Sequence, residues 1–339
     1  MAVVEEIKGR LLKEEKKAIE KRYTENLEAW ELYLQSLQLK KITREECLKA
    51  IDYLQQAIEK DPNFALAYAA IAREFNMMGF NYQMKPAKAY SEARNYAKKA
   101  LEIDDALPEA YTQLAWTNLY YDWNWSAAES AFRRAVELNP GNAAAHRLYK
   151  DYYMVMGNLN EALKELQRAH ELDPVHVSLG YVAWMYVLAN RYDEAENILK
   201  KAEQLKPDDS FVPRSLCIMN FRRGNYEKAL DIVHNYSELP DFSEEELFIS
   251  GPIYSRLGDR EKAEQMIEIM KKLNPVPTYY VAWTYLGLGE IDRTFEWLEK
   301  GYQERDTILP YINSFTEWDS IRSDPRFKAL LKKMGLPEK

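Results

Sequence analysis

The sequence predicts an all-α protein, a right-handed superhelical solenoid of antiparallel helix pairs. Two observations carry this prediction. One motif of 13 residues recurs at a nearly constant interval, which is the signature of a repeat architecture. The 339 residues also include only 12 Gly and 14 Pro, too few for a chain built from hairpin turns or flexible linkers. Because a repeat array adds units without enlarging one core, such a length does not require several globular domains.

The recurring motif has alanine at its first and eighth places and a helix-terminating residue at its thirteenth. Clear copies occupy residues 50–62, 128–140, 162–174 and 195–207, and divergent copies begin at Ala93, Ala229 and Ala263. The terminators are Pro62, Asp105, Pro140, Pro174, Pro207, Asp241 and Pro275, and they differ successively by 43, 35, 34, 33, 34 and 34. A period of 34 is that of the tetratricopeptide repeat (TPR). We place the nine extra residues of the first interval between residues 78 and 88.

Each unit is expected to contain two helices whose sequence marks both the packing face and the ends. The two alanines lie on one face of the second helix, where small side chains let neighbouring helices approach closely. The glycines expected to end first helices in a left-handed conformation are Gly157, Gly224, Gly258 and Gly289. Asn63 is the expected cap of the first helix that follows Pro62.

Three regions follow from this pattern. Residues 1–28 predict an amphipathic helix that caps the first repeat, with a coiled-coil or membrane-surface helix as the alternatives. Residues 29–305 predict a TPR array of about eight helix pairs, the last of them degenerate. Residues 306–339 predict a carboxyl-terminal capping segment, in which Asp324 caps and Pro325 starts a short final helix.

Four segments, residues 21–34, 121–126, 295–305 and 321–337, carry a family resemblance. Together they resemble the carboxyl-terminal TPR array of prokaryotic multidomain signalling proteins. In those proteins the array follows an adenylate-cyclase, protein-kinase, winged-helix or TolB-like domain, and the resemblance covers roughly residues 20–337. It implies a sensor or docking module and supplies no catalytic residues. No such effector domain is contained in the sequence given.

Composition and motifs argue against several classes of function. A formal charge of −8 and a pI near 5.4 disfavour nucleic-acid binding, which needs a basic surface. Neither a membrane span nor the apolar region of a secretory signal is recognisable, so we expect a cytoplasmic protein. Four histidines and two distant cysteines, Cys47 and Cys217, have no metal-ligand spacing, and phosphate-binding or hydrolase motifs are missing. We therefore predict no catalytic residue, metal or cofactor.

The concave groove is the predicted binding surface for a protein or peptide partner. First-helix residues at unit positions two, five, nine and twelve line the groove of such arrays. That register selects Arg73, Thr112, Trp116, Leu119, Arg147, Asp151, Met154, Tyr181, Met185, Arg214, Ile218 and Phe221. Aromatic and arginine side chains are common binding hot spots. The carboxylate clamp of chaperone-binding TPR proteins is not reproduced, because its places hold Ala69, Arg73 and Gln113.

Three functions are compatible with these features. The first is a non-catalytic interaction module or scaffold that binds a protein segment in the groove. The second is a homo-oligomer, in which an end face or the amino-terminal helix joins attached domains. The third, ranked last, is an enzyme whose pocket uses the loop of residues 121–125, in which Asp122 is the residue whose replacement would abolish turnover.

Overall fold

The computed structural model describes residues 23–40, 43–236 and 248–338. Within these ranges the chain is helical and contains no β-strand. The predicted amphipathic helix falls largely on residues 1–22 and the terminator Asp241 on residues 237–247, both outside the described residues. The first described helix, α1, begins at Leu27. The Asn26 side chain caps it by accepting a hydrogen bond from the amide of Ala29 at 3.1 Å.

Helices α1 to α16 form eight successive pairs in the described residues, and α17 follows them. The first four pairs are α1 Leu27–Gln38, α2 Arg44–Lys60, α3 Ala65–Phe80, α4 Pro86–Ile103, α5 Pro108–Thr117, α6 Trp125–Leu138, α7 Ala143–Val155 and α8 Leu159–Leu172. The others are α9 Leu179–Leu188, α10 Tyr192–Leu205, α11 Phe211–Arg222, α12 Tyr226–Tyr236, α13 Ser250–Leu257, α14 Arg260–Lys271, α15 Thr278–Gly287 and α16 Ile291–Glu304, then α17 Pro325–Met334. The predicted all-α solenoid of helix pairs is confirmed.

The motif alanines pack where the repeat pattern requires small side chains. Ala50, Ala128 and Ala195 stand for the set: the motif alanines are at most 1% exposed. A methyl group at these places lets the two helices of a pair, and the pair that follows, approach closely. In the degenerate eighth pair Thr294 and Gly301 take the two places and are also buried. The spacing read from the sequence is therefore the spacing of the helix-packing face.

Four glycines end first helices in the left-handed conformation, as expected. Gly157, Gly224 and Gly258 have φ of 78°, and Gly289 has φ of 76°. At the other end of the helix, the expected cap Asn63 is wrong. Helix α3 begins at Ala65 after Phe64, because the chain turns earlier, where Asp61 accepts from the amides of Asn63 and Phe64. That turn brings Phe64 fully into the core.

The enlarged second unit accommodates its extra residues mainly in its helices. Helices α3 and α4 contain 16 and 18 residues, whereas α7 and α8 contain 13 and 14. Only residues 81–85 connect α3 to α4, and Pro86 starts α4 at a position where its missing N–H costs nothing. The longer α3 carries Phe80 and Tyr82 beyond the end of an ordinary first helix.

This extension meets the other end of the array at a contact we call the clasp. The clasp joins Phe80, Tyr82, Trp123 and Trp125 to residues 302–307 and to Met334. Tyr82 donates from its hydroxyl to Asp306 at 2.9 Å, and the Trp125 indole donates to the carbonyl of Met334 at 2.9 Å. The Arg305 guanidinium lies 4.2 Å from the Trp123 ring centroid. The superhelix therefore bridges its own groove from the second and third pairs to the eighth.

Candidate functional site: the groove and its central chamber

Residues 306–324, here called the closing segment, run along the inside of the groove. Two short 3-10 helices, Leu309–Asn313 and Thr316–Ile321, shape the segment, and Trp318 is its largest fully buried side chain. Its polar groups bond to the carboxyl-terminal end of α7. Asn313 donates to the carbonyl of Val155 at 3.2 Å, and the Ser314 hydroxyl donates to the carbonyl of Met154. The closing segment therefore already occupies backbone carbonyls of α7 that face the groove.

Asp306 fixes the start of the closing segment. One carboxylate oxygen accepts from the Tyr82 hydroxyl and the Ile308 amide, both at 2.9 Å. The other accepts from the Thr278 hydroxyl at 2.6 Å and the Tyr279 amide at 3.1 Å, at the amino-terminal end of α15. These four hydrogen bonds satisfy the acceptor capacity of a carboxylate that is only 3% exposed. Asp306 therefore joins the clasp, α15 and the closing segment at one point.

A buried ion pair holds the far end of the closing segment. Glu317 accepts from Arg222 through two parallel hydrogen bonds of 2.8 and 3.0 Å, and the two side chains are only 4% and 3% exposed. Burial disfavours the guanidinium charge, but Glu317 and its hydrogen bonds keep the pKa of Arg222 above its usual value. Arg222 also donates to the carbonyls of Val187 and Leu188. The pair ties the segment to α9 and α11.

Between the closing segment and the first helices lies a cavity of about 500 Å³, here called the chamber. Its wall is largely aromatic and includes Trp116 and Tyr120 of the third pair, Tyr181 and Trp184 of α9, and Phe211 of α11. Further rings come from Tyr279, Tyr280 and Trp283 on α15 and from Tyr311 and Phe315 on the closing segment. The chamber is therefore bounded by the array on one side and by the chain's own closing segment on the other.

A buried polar network crosses the chamber wall at α7. The Lys150 ammonium donates to Asp151 and lies 5.1 Å from the Tyr181 ring centroid and 5.6 Å from that of Trp184. Asp151 also accepts from the Tyr311 hydroxyl at 2.9 Å, which in turn lies 2.7 Å from the Tyr120 hydroxyl. Burial opposes the Lys150 charge, but Asp151 keeps the pKa of Lys150 above its usual value.

The two tyrosines of this network stay neutral. Burial raises the pKa of Tyr120 and of Tyr311 well above 10, and the nearby Asp151 charge raises both further. Their hydroxyls can then serve as hydrogen-bond donors at any ordinary pH. The network therefore connects α7 to the closing segment through fixed donors and one carboxylate.

Two arginines stand at the mouth of the chamber. Arg147 of α7 is half-buried and makes no hydrogen bond or ion pair with any residue that the structure describes. Arg214 of α11 places its guanidinium 4.9 Å from the centroid of the Phe211 ring. Trp184, Phe211 and Ile218 are half-buried beside them. The mouth thus presents cationic groups next to aromatic and aliphatic surface.

The structure brings half of the twelve predicted groove residues to this chamber. The six are Trp116, Arg147, Asp151, Tyr181, Arg214 and Ile218. The others take different places: Arg73 pairs with Glu74 at 2.6 Å, and the remaining five are buried, namely Thr112, Leu119, Met154, Met185 and Phe221. Whether any of the twelve contacts a partner stays a prediction.

Several residues of the chamber were not found from the sequence. Lys150 lies three places after Arg147 on the same face of α7, so helical spacing alone would have included it. Trp184 and Phe211 likewise lie three places from the predicted residues Tyr181 and Arg214, so helical spacing would have included them too. Tyr311 and Phe315 gave no signal, because the closing segment lies outside the repeat register.

The loop of residues 121–125, the candidate pocket of the third hypothesis, is part of the structural framework. Helix α5 continues into a π-turn at Asn118–Asp122, and both Asp122 carboxylate oxygens accept from Arg94 at 2.5 Å. Trp123 and Trp125 belong to the clasp. The best-placed histidine, His146, is likewise held by Glu165 at 2.6 Å and by the carbonyl of Pro140 at 3.1 Å. These hydrogen bonds account for the positions of Asp122 and His146, and no catalytic role is needed to explain them.

Three wider features of the described residues bear on function. No three His, Cys, Asp or Glu side chains in those ranges come together as a metal site. The helices that the structure describes include none with the length and apolar character needed to cross a bilayer. Cys47 and Cys217 are both buried thiols outside any disulfide, and their Sγ atoms lie 3.9 Å from Gln83 Oε1 and 3.6 Å from the carbonyl of Ala229.

Comparison with known proteins identifies the repeats. Residues 124–181 and 182–209 match family models described as tetratricopeptide repeat. The transcriptional regulator HilA of Salmonella typhimurium is 24% identical over 191 residues, which are 56% of this chain and 34% of HilA. Subunit 3 of the anaphase-promoting complex of Schizosaccharomyces pombe is 23% identical over 181 residues, covering 53% of this chain and 27% of that protein.

Among solved structures, yeast Tom70 aligns with 93% of this chain and 69% of its own, at 20% identity and a TM-score of 0.54. That likeness concerns the fold. The chain spans about a third or less of the length of these curated relatives. Repeat matches, helix pairing and structural likeness agree that this chain carries tetratricopeptide repeats and has the fold of a TPR solenoid.

Proposed function

We propose that this chain is a non-catalytic interaction module of prokaryotic cytoplasmic signalling that binds a protein segment at the mouth of its groove. TPR proteins in general mediate protein–protein interactions, and both family models reported above are tetratricopeptide repeats. The observation that carries the proposal is Arg147, a half-buried cation without a bonding partner among the described residues, beside half-buried Trp184, Phe211 and Ile218. Partly buried aromatic and arginine side chains are the usual anchors of protein recognition.

The mouth favours one chemistry of partner segment. A carboxylate would meet Arg147 and Arg214, while an adjacent aromatic or aliphatic side chain would cover the ring of Phe211 or Trp184. The closing segment already bonds to the carboxyl-terminal end of α7, so the partner is limited to the surface between α7, α9 and α11. A short acidic and aromatic segment therefore fits better than a long helix.

The signalling context rests on the family resemblance and on the role of one relative. The Salmonella relative is described as a transcriptional regulator. Its match to this chain covers 34% of its length. We infer that the shared part is the interaction module and that the outputs of such proteins lie elsewhere.

Peptide selection tests this proposal directly. Random twelve-residue peptides displayed on phage should yield binders enriched in Asp or Glu next to Phe, Trp or Leu, and Arg147→Glu should abolish their capture. Arg168→Glu is the matched control, since Arg168 pairs only with Glu171 on the exposed face of α8. Binders without that composition, or binders equally retained by Arg147→Glu, would refute the proposed mouth.

A second function, self-association, is favoured by an exposed apolar face on the first pair. Leu27 of α1 is 77% exposed, and the other large exposed apolar side chains of the pair are Leu34, Leu37 and Leu48. Side chains spaced like Leu27, Leu34 and Leu37 lie along one side of a helix. Sedimentation of the wild type should show a concentration-dependent dimer that Leu34→Glu dissociates. A monomer at every concentration would remove this alternative.

A further inference from the structure

We propose that the interior of the chamber binds a small organic anion with a flat, apolar body. This inference goes beyond the binding of a protein segment and does not depend on it. It concerns the space behind the mouth, where Lys150, Tyr120, Tyr181 and Tyr311 are buried. Size, charge and wall chemistry each point to that class of ligand.

The size of the chamber excludes most peptide occupants. Its volume is about 500 Å³, within the range of about 300–1,000 Å³ that is common for small-molecule sites. An α-helix about 10 Å wide would fill that volume within roughly one turn of about 5.4 Å. A helical or long extended partner therefore cannot enter, whereas a compact molecule of two or three rings can.

The charge of the chamber opposes the charge of the chain. The protein as a whole has a formal charge of −8. The Arg222–Glu317 pair is internally neutral. With that pair set aside, the chamber contains three cationic side chains, Arg147, Lys150 and Arg214, and one carboxylate, that of Asp151. An excess of cations on a partly desolvated wall attracts an anion more strongly than the same groups would in water.

The aromatic walls suit a flat ligand body. Tyr181 and Phe211 stack with ring centroids 4.4 Å apart and planes 28° apart, and Trp184 lies 5.7 Å from Tyr181. On the opposite wall Tyr311 and Phe315 of the closing segment stack with nearly parallel planes, at an interplanar angle of 6° and a centroid distance of 5.3 Å. Two aromatic faces that are fixed by packing and by the network at Asp151 offer a preformed slot, which lowers the entropy cost of binding.

A pair of matched fluorescent dyes can test the chamber. 8-Anilinonaphthalene-1-sulfonate is an aromatic anion, and N-phenyl-1-naphthylamine is the same ring system without the sulfonate. Titrated into the full chain, the sulfonate dye should bind saturably at one site per chain and at least tenfold more tightly than the neutral dye. Raising the salt concentration should weaken the sulfonate dye selectively, because salt screens the cations.

Two kinds of variant locate the site. Arg147→Gln with Arg214→Gln should weaken the sulfonate dye at least tenfold and the neutral dye less than twofold. Ile218→Trp should narrow the chamber and weaken both dyes at least tenfold, since Ile218 is part of its wall. Arg168→Gln and Leu34→Glu are controls on the outer face and on the exposed leucines of α1, and both should leave the two affinities unchanged.

Four results of these titrations would overturn the proposal. Non-saturable binding of the sulfonate dye, equal affinity for the two dyes, or unchanged affinity in the double arginine variant would overturn the proposal. Loss of binding in Leu34→Glu would assign the dye to α1 and would overturn it too. Each variant is first required to melt within a few degrees of the wild type, and Arg147→Gln alone serves if the double variant does not. The peptide selection above can fail or succeed independently of all these results.

Discussion

Removing the carboxylate of Glu317 tests whether the closing segment is a permanent part of the fold. In the wild type, the Arg222 guanidinium is bound by Glu317 at 2.8 and 3.0 Å, and neither side chain is more than 4% exposed. The variant Glu317→Ala leaves the guanidinium in place with its Nε and one Nη unsatisfied. The two bonds to the Val187 and Leu188 carbonyls, at 2.9 and 3.1 Å, remain.

The expected loss in the free energy of unfolding follows from those contacts. A hydrogen bond to a charged group contributes about 1.5–3 kcal/mol, so two of them correspond to about 3–6 kcal/mol. Breaking a buried ion pair from one side costs about 3–5 kcal/mol, because a charge stays buried without its partner. We therefore expect a loss of about 4 kcal/mol, equivalent to a nearly thousandfold change in the unfolding equilibrium.

Urea denaturation followed by circular dichroism measures this loss. If the slope is about 3 kcal/mol per molar urea, the midpoint should fall by more than about 1 M. Glu299→Ala is the matched control, because its pair with Lys333 at 2.8 Å is exposed and should contribute less than about 1 kcal/mol. Replacing both partners, as in Arg222→Met with Glu317→Leu, should recover at least half of the loss.

A midpoint for Glu317→Ala that matches Glu299→Ala would refute the reasoning. So would a double variant that is as unstable as the single one, because the loss would then arise from lost packing and not from an unpaired charge. The first of these outcomes would mean that the closing segment leaves the groove easily. The chamber would then not be a preformed site.

Three further predictions concern the same framework. Asp306→Ala removes four accepted hydrogen bonds and should lower the free energy of unfolding, measured by urea denaturation, by about 3–5 kcal/mol. The control Asp292→Ala removes an exposed carboxylate paired with Arg326 and should change that free energy by less than about 1 kcal/mol. Gly258→Ala, at φ 78° with open space around the added methyl group, should cost about 1–2 kcal/mol, and Gly141→Ala less; equal losses would exclude backbone strain as the cause. Burial raises the pKa of Tyr90, Tyr120, Tyr279 and Tyr311 well above 10. Because the unfolded chain then loses these phenolic protons at a lower pH than the folded chain, the free energy of unfolding should fall as the pH rises past about 10. An unchanged urea midpoint between pH 8 and about pH 10.5 would contradict this.

The sequence was sufficient for the parts of the fold that local spacing determines. Alanines at the first and eighth motif places mark a packing face, since only small side chains fit where two helices touch. Glycines at the turns mark first-helix ends, since few other residues adopt positive φ at low cost. The alanine pattern recurs in most units, and a glycine ends the first helix in four of the eight described pairs. A register error at one unit, such as the cap assigned to Asn63, therefore did not affect the rest.

The closing segment could not be predicted in the same way. Arg222 and Glu317 lie 95 positions apart, and Glu317 is one of 54 acidic residues with no local feature to distinguish it. Asp306 likewise joins Tyr82 across 224 positions. Such pairs form only because the superhelix brings distant parts of the chain together, a geometry that accumulates from small rotations between units. The repeat register found six of the residues that line the chamber, but it could not show what faces them.

The closing segment changes which occupants the groove can accept. In an array whose groove is lined by first helices alone, a long partner helix could lie along the whole inner surface. Here the chain's own residues 306–324 cover the carboxyl-terminal end of α7, leaving a mouth beside α9 and α11 and a chamber of about 500 Å³ behind it. A partner segment can then contribute only a side chain or two, and a small anion can fill the rest. Arg147 and Ile218 border both the mouth and the chamber, so Arg147→Glu should weaken the binding of a peptide and of an anion alike, and Ile218→Trp should weaken the binding of the anion by narrowing the chamber.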